Sequence, residues 1–158
     1  MTENYLTLLE ESLRQKQQVM AEIQEYNLRQ EELFKSGNAD LDKFDEYVEE
    51  KGSLVDRLAA LDVGFEQLYA KVAEELQDNR QRYAGQIKVL QQLIGEVTDT
   101  SVLIQAQEAR NKALIEEYFR KAREGVCMGR RSTQAARNYY KTMSKSAGPV
   151  SIYLDSKK

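Results

Sequence analysis

The chain has 158 residues and a net charge of −3, with 31% charged residues, no histidine, no tryptophan, one cysteine and one proline. That length suits a single domain. Without histidine there is no Ser-His-Asp or Cys-His arrangement and no His-bearing metal site, and Cys127 alone makes neither an internal disulfide nor a thiolate zinc cluster. No enzyme, cofactor or metal site is therefore expected.

The charge is unevenly spread. Residues 1–119 hold 24 acidic against 13 basic side chains, a net of −11, whereas residues 120–158 hold 10 basic against 2 acidic, a net of +8. The near absence of proline, with abundant Glu, Gln, Leu, Lys and Ala, favours long helices. The N-terminus lacks a basic start followed by an apolar run, and no stretch approaches the ~20 apolar residues of a membrane span. A soluble, cytoplasmic protein is expected.

Apolar residues recur at alternating steps of three and four, the spacing of one stripe on a supercoiled helix. The first run, Leu6, Leu9, Leu13, Lys16, Met20, Ile23, Asn27, Gln30 and Phe34, predicts a helix over about 3–36. Thr2 is its expected N-cap. Ser36-Gly37-Asn38 should end it, with Gly37 free to take the left-handed conformation of a C-cap.

The second run, Leu41, Phe44, Val48, Lys51, Val55, Leu58, Asp62, Phe65, Tyr69, Val72 and Leu76, predicts a helix over about 39–78. Asn38 or Asp40 should cap it, with Asp40, Asp42 and Asp45 in the favourable field of its N-terminus. Gly52 and Gly64 each weaken this helix by roughly 1 kcal/mol relative to alanine. The phase runs through both, so one helix is expected, with a bend or break at Gly64 as the alternative.

Gln77-Asp78-Asn79-Arg80 reads as the next turn. The third run, Tyr83, Ile87, Leu90, Ile94, Val97, Ser101, Ile104, Glu108, Asn111, Ile115 and Tyr118, predicts a helix over about 80–124. Thr98-Asp99-Thr100-Ser101 looks like a helix start, but the unbroken phase favours continuity. Second-row residues Leu8, Val19, Leu54, Leu61, Leu68, Leu93, Val102 and Leu114 should widen the stripe enough to pack against two neighbours.

Three helices of similar length joined by short turns predict an all-α fold, an elongated antiparallel three-helix bundle or coiled coil over residues 1–124. The polar seam positions Lys16, Asn27, Gln30, Lys51, Asp62, Glu108 and Asn111 should lower the stability of so slim a body while fixing its register. Asn38, Asp40, Asp42 and Glu49 imitate an EF-hand loop. Lys43 stands where that loop needs glycine, and Leu41, Phe44 and Val48 fit a helix face instead.

Beyond Glu124 the pattern fails. Residues 125–158 read as a basic, partly disordered tail with a short helix over 133–143 and an extended apolar segment at Val150–Leu154. Lysines and arginines beside Tyr139 and Tyr140 would suit phosphates and bases, but the acidic body would repel a long polyanion, so no nucleic acid is expected. The segment lacks a convincing amphipathic helix for stable membrane insertion. Tyr, Arg and Met are enriched at protein interfaces. A protein partner is therefore the leading reading and docking on the chain's own acidic body the alternative.

The second helix carries Glu49-Glu50-Lys51-Gly-Ser-Leu54-Val55-Asp-Arg-Leu58-Ala-Ala-Leu61-Asp62-Val-Gly64-Phe65, after a first long helix and the turn Lys35-Ser-Gly-Asn-Ala-Asp40-Leu41. The third carries Ser101-Val-Leu-Ile-Gln-Ala-Gln-Glu108-Ala-Arg110-Asn111-Lys112. The chain ends Tyr139-Tyr140-Lys-Thr-Met143 and Tyr153-Leu-Asp155-Ser-Lys-Lys158. Over nearly its whole length it resembles the FlgN-type flagellar export chaperones, particularly those of Gram-positive bacteria. The resemblance implies a cytoplasmic, non-enzymatic chaperone of type III flagellar export. It would bind hook-associated junction proteins, prevent their premature assembly and deliver them to the export gate. The partner-binding residues expected on this reading are Tyr118, Phe119, Arg130, Arg131, Arg137, Tyr139, Tyr140, Met143, Tyr153 and Leu154. The long heptads leave a homodimer, or a homo-oligomeric coiled-coil scaffold, as the alternative.

Overall fold

The computed structural model describes residues 2–125 as three helices, α1 (Thr2–Lys35), α2 (Leu41–Asp78) and α3 (Ala84–Gly125), with no strand among them. They form an antiparallel three-helix bundle. α1 takes the middle place: it packs closely along both α2 and α3, whereas the backbones of α2 and α3 stand farther apart. At 1.5 Å per residue the 42 residues of α3 extend about 60 Å, so the body is a slim rod.

The turn chemistry explains where the helices stop. Gly37 sits at φ 78, in the left-handed region, and its N–H reaches back to the Phe34 carbonyl at 3.4 Å. Asp40 then caps α2, its carboxylate accepting from the Asp42 and Lys43 amides at 3.0 and 3.3 Å. Helix α3 begins four residues later than expected. Residues 79–83 turn on Asn79, whose carbonyl accepts from the Arg82 and Tyr83 amides at 3.1 and 3.4 Å. Thr2 is the first helical residue of α1 rather than its N-cap, and its hydroxyl donates instead to the Glu75 carboxylate near the end of α2.

Helix α2 passes Gly64 unbroken, and α3 passes residues 98–101 unbroken. Thr98 and Thr100 fold their hydroxyls back onto the Ile94 and Glu96 carbonyls at 2.7 and 3.0 Å, which satisfies them inside a helix. Residues 41–49 are helical, so the EF-hand-like oxygens are not gathered into a loop.

The heptad seams bury as their spacing requires. One large apolar cluster runs from Leu6 to Ile23 on α1, Leu54 to Leu76 on α2, Tyr83 in the turn before α3, and Leu90 to Ile104 on α3. A smaller one, at the end where α1 turns into α2, joins Phe34, Ala39, Phe44, Val48, Ile115 and Phe119. Of the second-row residues, Val19, Leu54 and Leu93 are buried and Leu61, Leu68 and Leu114 half-buried. Leu8 and Val102 are instead 45% and 59% exposed, because neither packed face of its helix reaches that far round.

Candidate partner interface

The end of the rod that carries the α1–α2 turn is also the end at which α3 finishes. Phe34 meets Phe44 edge-on at 5.0 Å between ring centroids, and Tyr118 at 5.2 Å. Phe119 closes the set at 6.3 Å from both phenylalanines. Such tilted contacts suit the ring quadrupoles and add to the burial of the rings. Phe119 is only 8% exposed, so its ring belongs to the core rather than to a partner-facing surface. Tyr118 is half-buried, and its hydroxyl donates to the Ala39 carbonyl at 3.5 Å.

Around this core the last turns of α3 are charged. Arg120 donates to Glu117 at 2.6 Å and to Glu124 at 2.9 Å. The Arg120 hydrogen bond holds the Glu117 carboxyl below the usual carboxylate range, and Glu117 in turn raises the guanidinium. All three are solvent-exposed, so the ladder orders the helix end but stabilises it little. The remaining expected partner residues, Arg130, Arg131, Arg137, Tyr139, Tyr140, Met143, Tyr153 and Leu154, lie outside the described residues, as does the short helix over 133–143.

A polar layer separates the two apolar clusters. Lys51 is fully buried, with its ammonium 2.6 Å from a Glu108 oxygen and 2.9 Å from the Gln30 side-chain oxygen. Beside it, the Asn111 amide donates to the Asn27 carbonyl at 2.8 Å, and the Asn27 amide to Gln107 at 3.1 Å. Further along the rod, Lys16 pairs with Asp62 inside the larger cluster. Burial pushes the Lys51 pKa down to about 8, with Glu108 opposing that shift through charge and hydrogen bonding. Every polar seam residue is buried. The sequence marked them as seam breaks but gave no view of their pairings. The clue was available: residues facing each other on antiparallel α1 and α2 have numbers that add to a near-constant total, as in Lys16 with Asp62 and Gln30 with Lys51.

One open groove lies between α1 and α2, about 330 Å³, with Tyr26 and Leu54 in it beside Glu22, Glu25, Glu50, Arg29 and Arg57. Arg29 stacks over the Tyr26 ring at 5.1 Å, and Arg57 approaches Glu22 at 3.8 Å. Among the described residues no cluster of His, Cys, Asp or Glu could hold a metal ion, and no helix is long and apolar enough to cross a membrane.

The fold and these sites define an elongated helical bundle with a charged, ordered end and a paired polar interior. Comparison with protein families, curated proteins and solved structures finds no match.

Proposed function

We propose that this chain is a cytoplasmic chaperone of type III flagellar export, which binds hook-associated junction proteins, prevents their premature assembly and delivers them to the export gate. The carrying observation is where α3 ends. Ile115 and Phe119 anchor its last turns in the small aromatic cluster, so the basic, tyrosine-rich residues 126–158 leave from one fixed end of a predominantly acidic rod. The resemblance of the helical motifs to FlgN-type chaperones supports the same reading.

In this reading the bundle is a rigid, charged handle and the C-terminal residues do the capturing. Tyr139, Tyr140, Met143, Tyr153 and Leu154 supply apolar contacts for an amphipathic client helix, the helix-in-groove mode of recognition. Arg130, Arg131 and Arg137 favour acidic client faces and speed encounter. Tyr118, half-buried at the point of departure, is the one expected contact residue on the described surface.

Co-purification with the junction proteins tests this. The full chain should retain a junction protein, and a chain truncated after Gly125 should lose it while keeping its helical circular dichroism. A full chain that retains none would overturn the chaperone reading. A truncated chain that retains them equally would move the site from residues 126–158 to the bundle.

A further inference from the structure

The outward face of α3 has an order that packing within the bundle does not explain. Gly95, Asp99, Val102, Ala106, Arg110 and Ala113 follow one another at steps of three and four, so they form one row along the helix, with Leu103 beside it. All are exposed. Val102 and Leu103, at 59% and 57%, are the two most exposed large apolar side chains among the described residues, ahead of Val63 at 55%. The row is acidic on one side of this apolar pair, at Asp99, and basic on the other, at Arg110. Neither of those two makes an ion pair within 4 Å among the described residues, although Arg110 adds to Lys35 in lowering the pKa of Glu31 on α1.

Turned end for end, this row is complementary to itself. In an antiparallel pair of α3 helices centred between Ile104 and Gln105, Asp99 of each copy comes level with Arg110 of the other. Leu103 of each meets Ala106, and Gly95 meets the neighbourhood of Ala113. Small side chains opposite a larger one let two helices approach closely, and an antiparallel two-fold axis places like edges together. The Asp99–Arg110 pairs therefore form on the same side of the seam as Leu103. Self-complementarity of one patch under a two-fold axis is the defining property of an isologous dimer interface.

We propose that a second copy of this chain docks here, making a two-fold dimer through the outer face of α3. The two rods lie side by side and point in opposite directions, so their C-terminal residues leave from opposite ends. The row from Gly95 to Ala113 is about 27 Å long. With apolar burial limited to Val102, Leu103 and the alanines, the dimer is a reversible one. It involves neither the aromatic cluster nor residues 126–158, and stands or falls independently of the proposed client.

Sedimentation equilibrium of the full chain across a concentration series tests the interface. The native chain should show a monomer–dimer equilibrium, and Leu103→Asp should shift it to monomer with unchanged helicity, since the residue packs against nothing essential in the bundle. Asp99→Arg and Arg110→Asp should each raise the dissociation constant at least about tenfold, because each places two like-charged pairs across the axis. The two reversals combined in one chain rebuild both pairs and should restore the native constant. A native chain that stays monomeric at hundreds of micromolar would overturn the proposal. So would a dimer that Leu103→Asp leaves intact, or single charge reversals that the combined variant does not rescue.

Discussion

Lys51 carries the strongest chemical consequence of any single side chain in the bundle. Its ammonium has lost nearly all its hydration, and that loss outweighs the attraction of Glu108, leaving the amine with a pKa of about 8 against an ordinary 10.5. Below pH 8 the folded and unfolded chains both hold the proton, and the cost of burying the charge is present in full. Between the two values only the unfolded chain holds it, so stability rises with pH, at up to about 1.4 kcal/mol per pH unit. Urea denaturation from pH 8 to 9.5 should therefore show the native chain gaining on a Lys51→Met/Glu108→Leu variant that lacks both groups; parallel curves would refute this. Lys51→Met alone leaves the Glu108 carboxylate buried without that ammonium and should cost about 3–5 kcal/mol, while the double variant should equal the native chain or exceed it.

At the scale of the helices, the glycines separate into two kinds. A Cβ at Gly52 or Gly64 would meet nothing within 4 Å, and both lie in regular helix, so alanine at either position should stabilise the chain by about 1 kcal/mol. Gly37, at φ 78, also has open space around it, yet alanine there should destabilise by about 1 kcal/mol because its backbone is left-handed. Thermal melts of the three variants should split in sign accordingly. Most of α1, α2 and α3 was legible from residue spacing alone, including the continuity through Gly64 and Thr98, because a heptad seam that keeps phase reports one helix. The late start of α3 was not legible, since a turn built on Asn79 depends on which carbonyl its neighbours reach. Nor was the exposure of Val102, because spacing shows that a residue lies beside the seam but not how far the neighbouring helix extends over it. The partner residues of the basic segment rest on composition and resemblance, and of all those expected only Tyr118 and Phe119, at the end of α3, fall where their surroundings are described. Phe119 shows how an aromatic at a helix end, read as a contact for others, can be a contact for its own core.

For the whole molecule, the division by the Lys51 layer sets an uneven resistance to opening. The larger apolar cluster spans most of the rod, while the smaller one at the α1–α2 turn is cut off from it by polar groups, among them the buried Asn27 oxygen and Gln30 nitrogen with no hydrogen-bond partner among the described residues. Such groups weaken the layer relative to an apolar one. Hydrogen exchange should therefore find the amides of residues 34–48 and 111–119 less protected than those of residues 13–23, 54–72 and 90–104; uniform protection would argue against two separable blocks. The middle position of α1 has a consequence for the order in which the protein is made. Helix α1 leaves the ribosome before α2 and α3, yet Asn27 waits for Gln107 and Asn111, 80 and 84 residues behind it. A newborn α1–α2 hairpin presents one finished flank and one sticky flank, and only the emergence of α3 closes it.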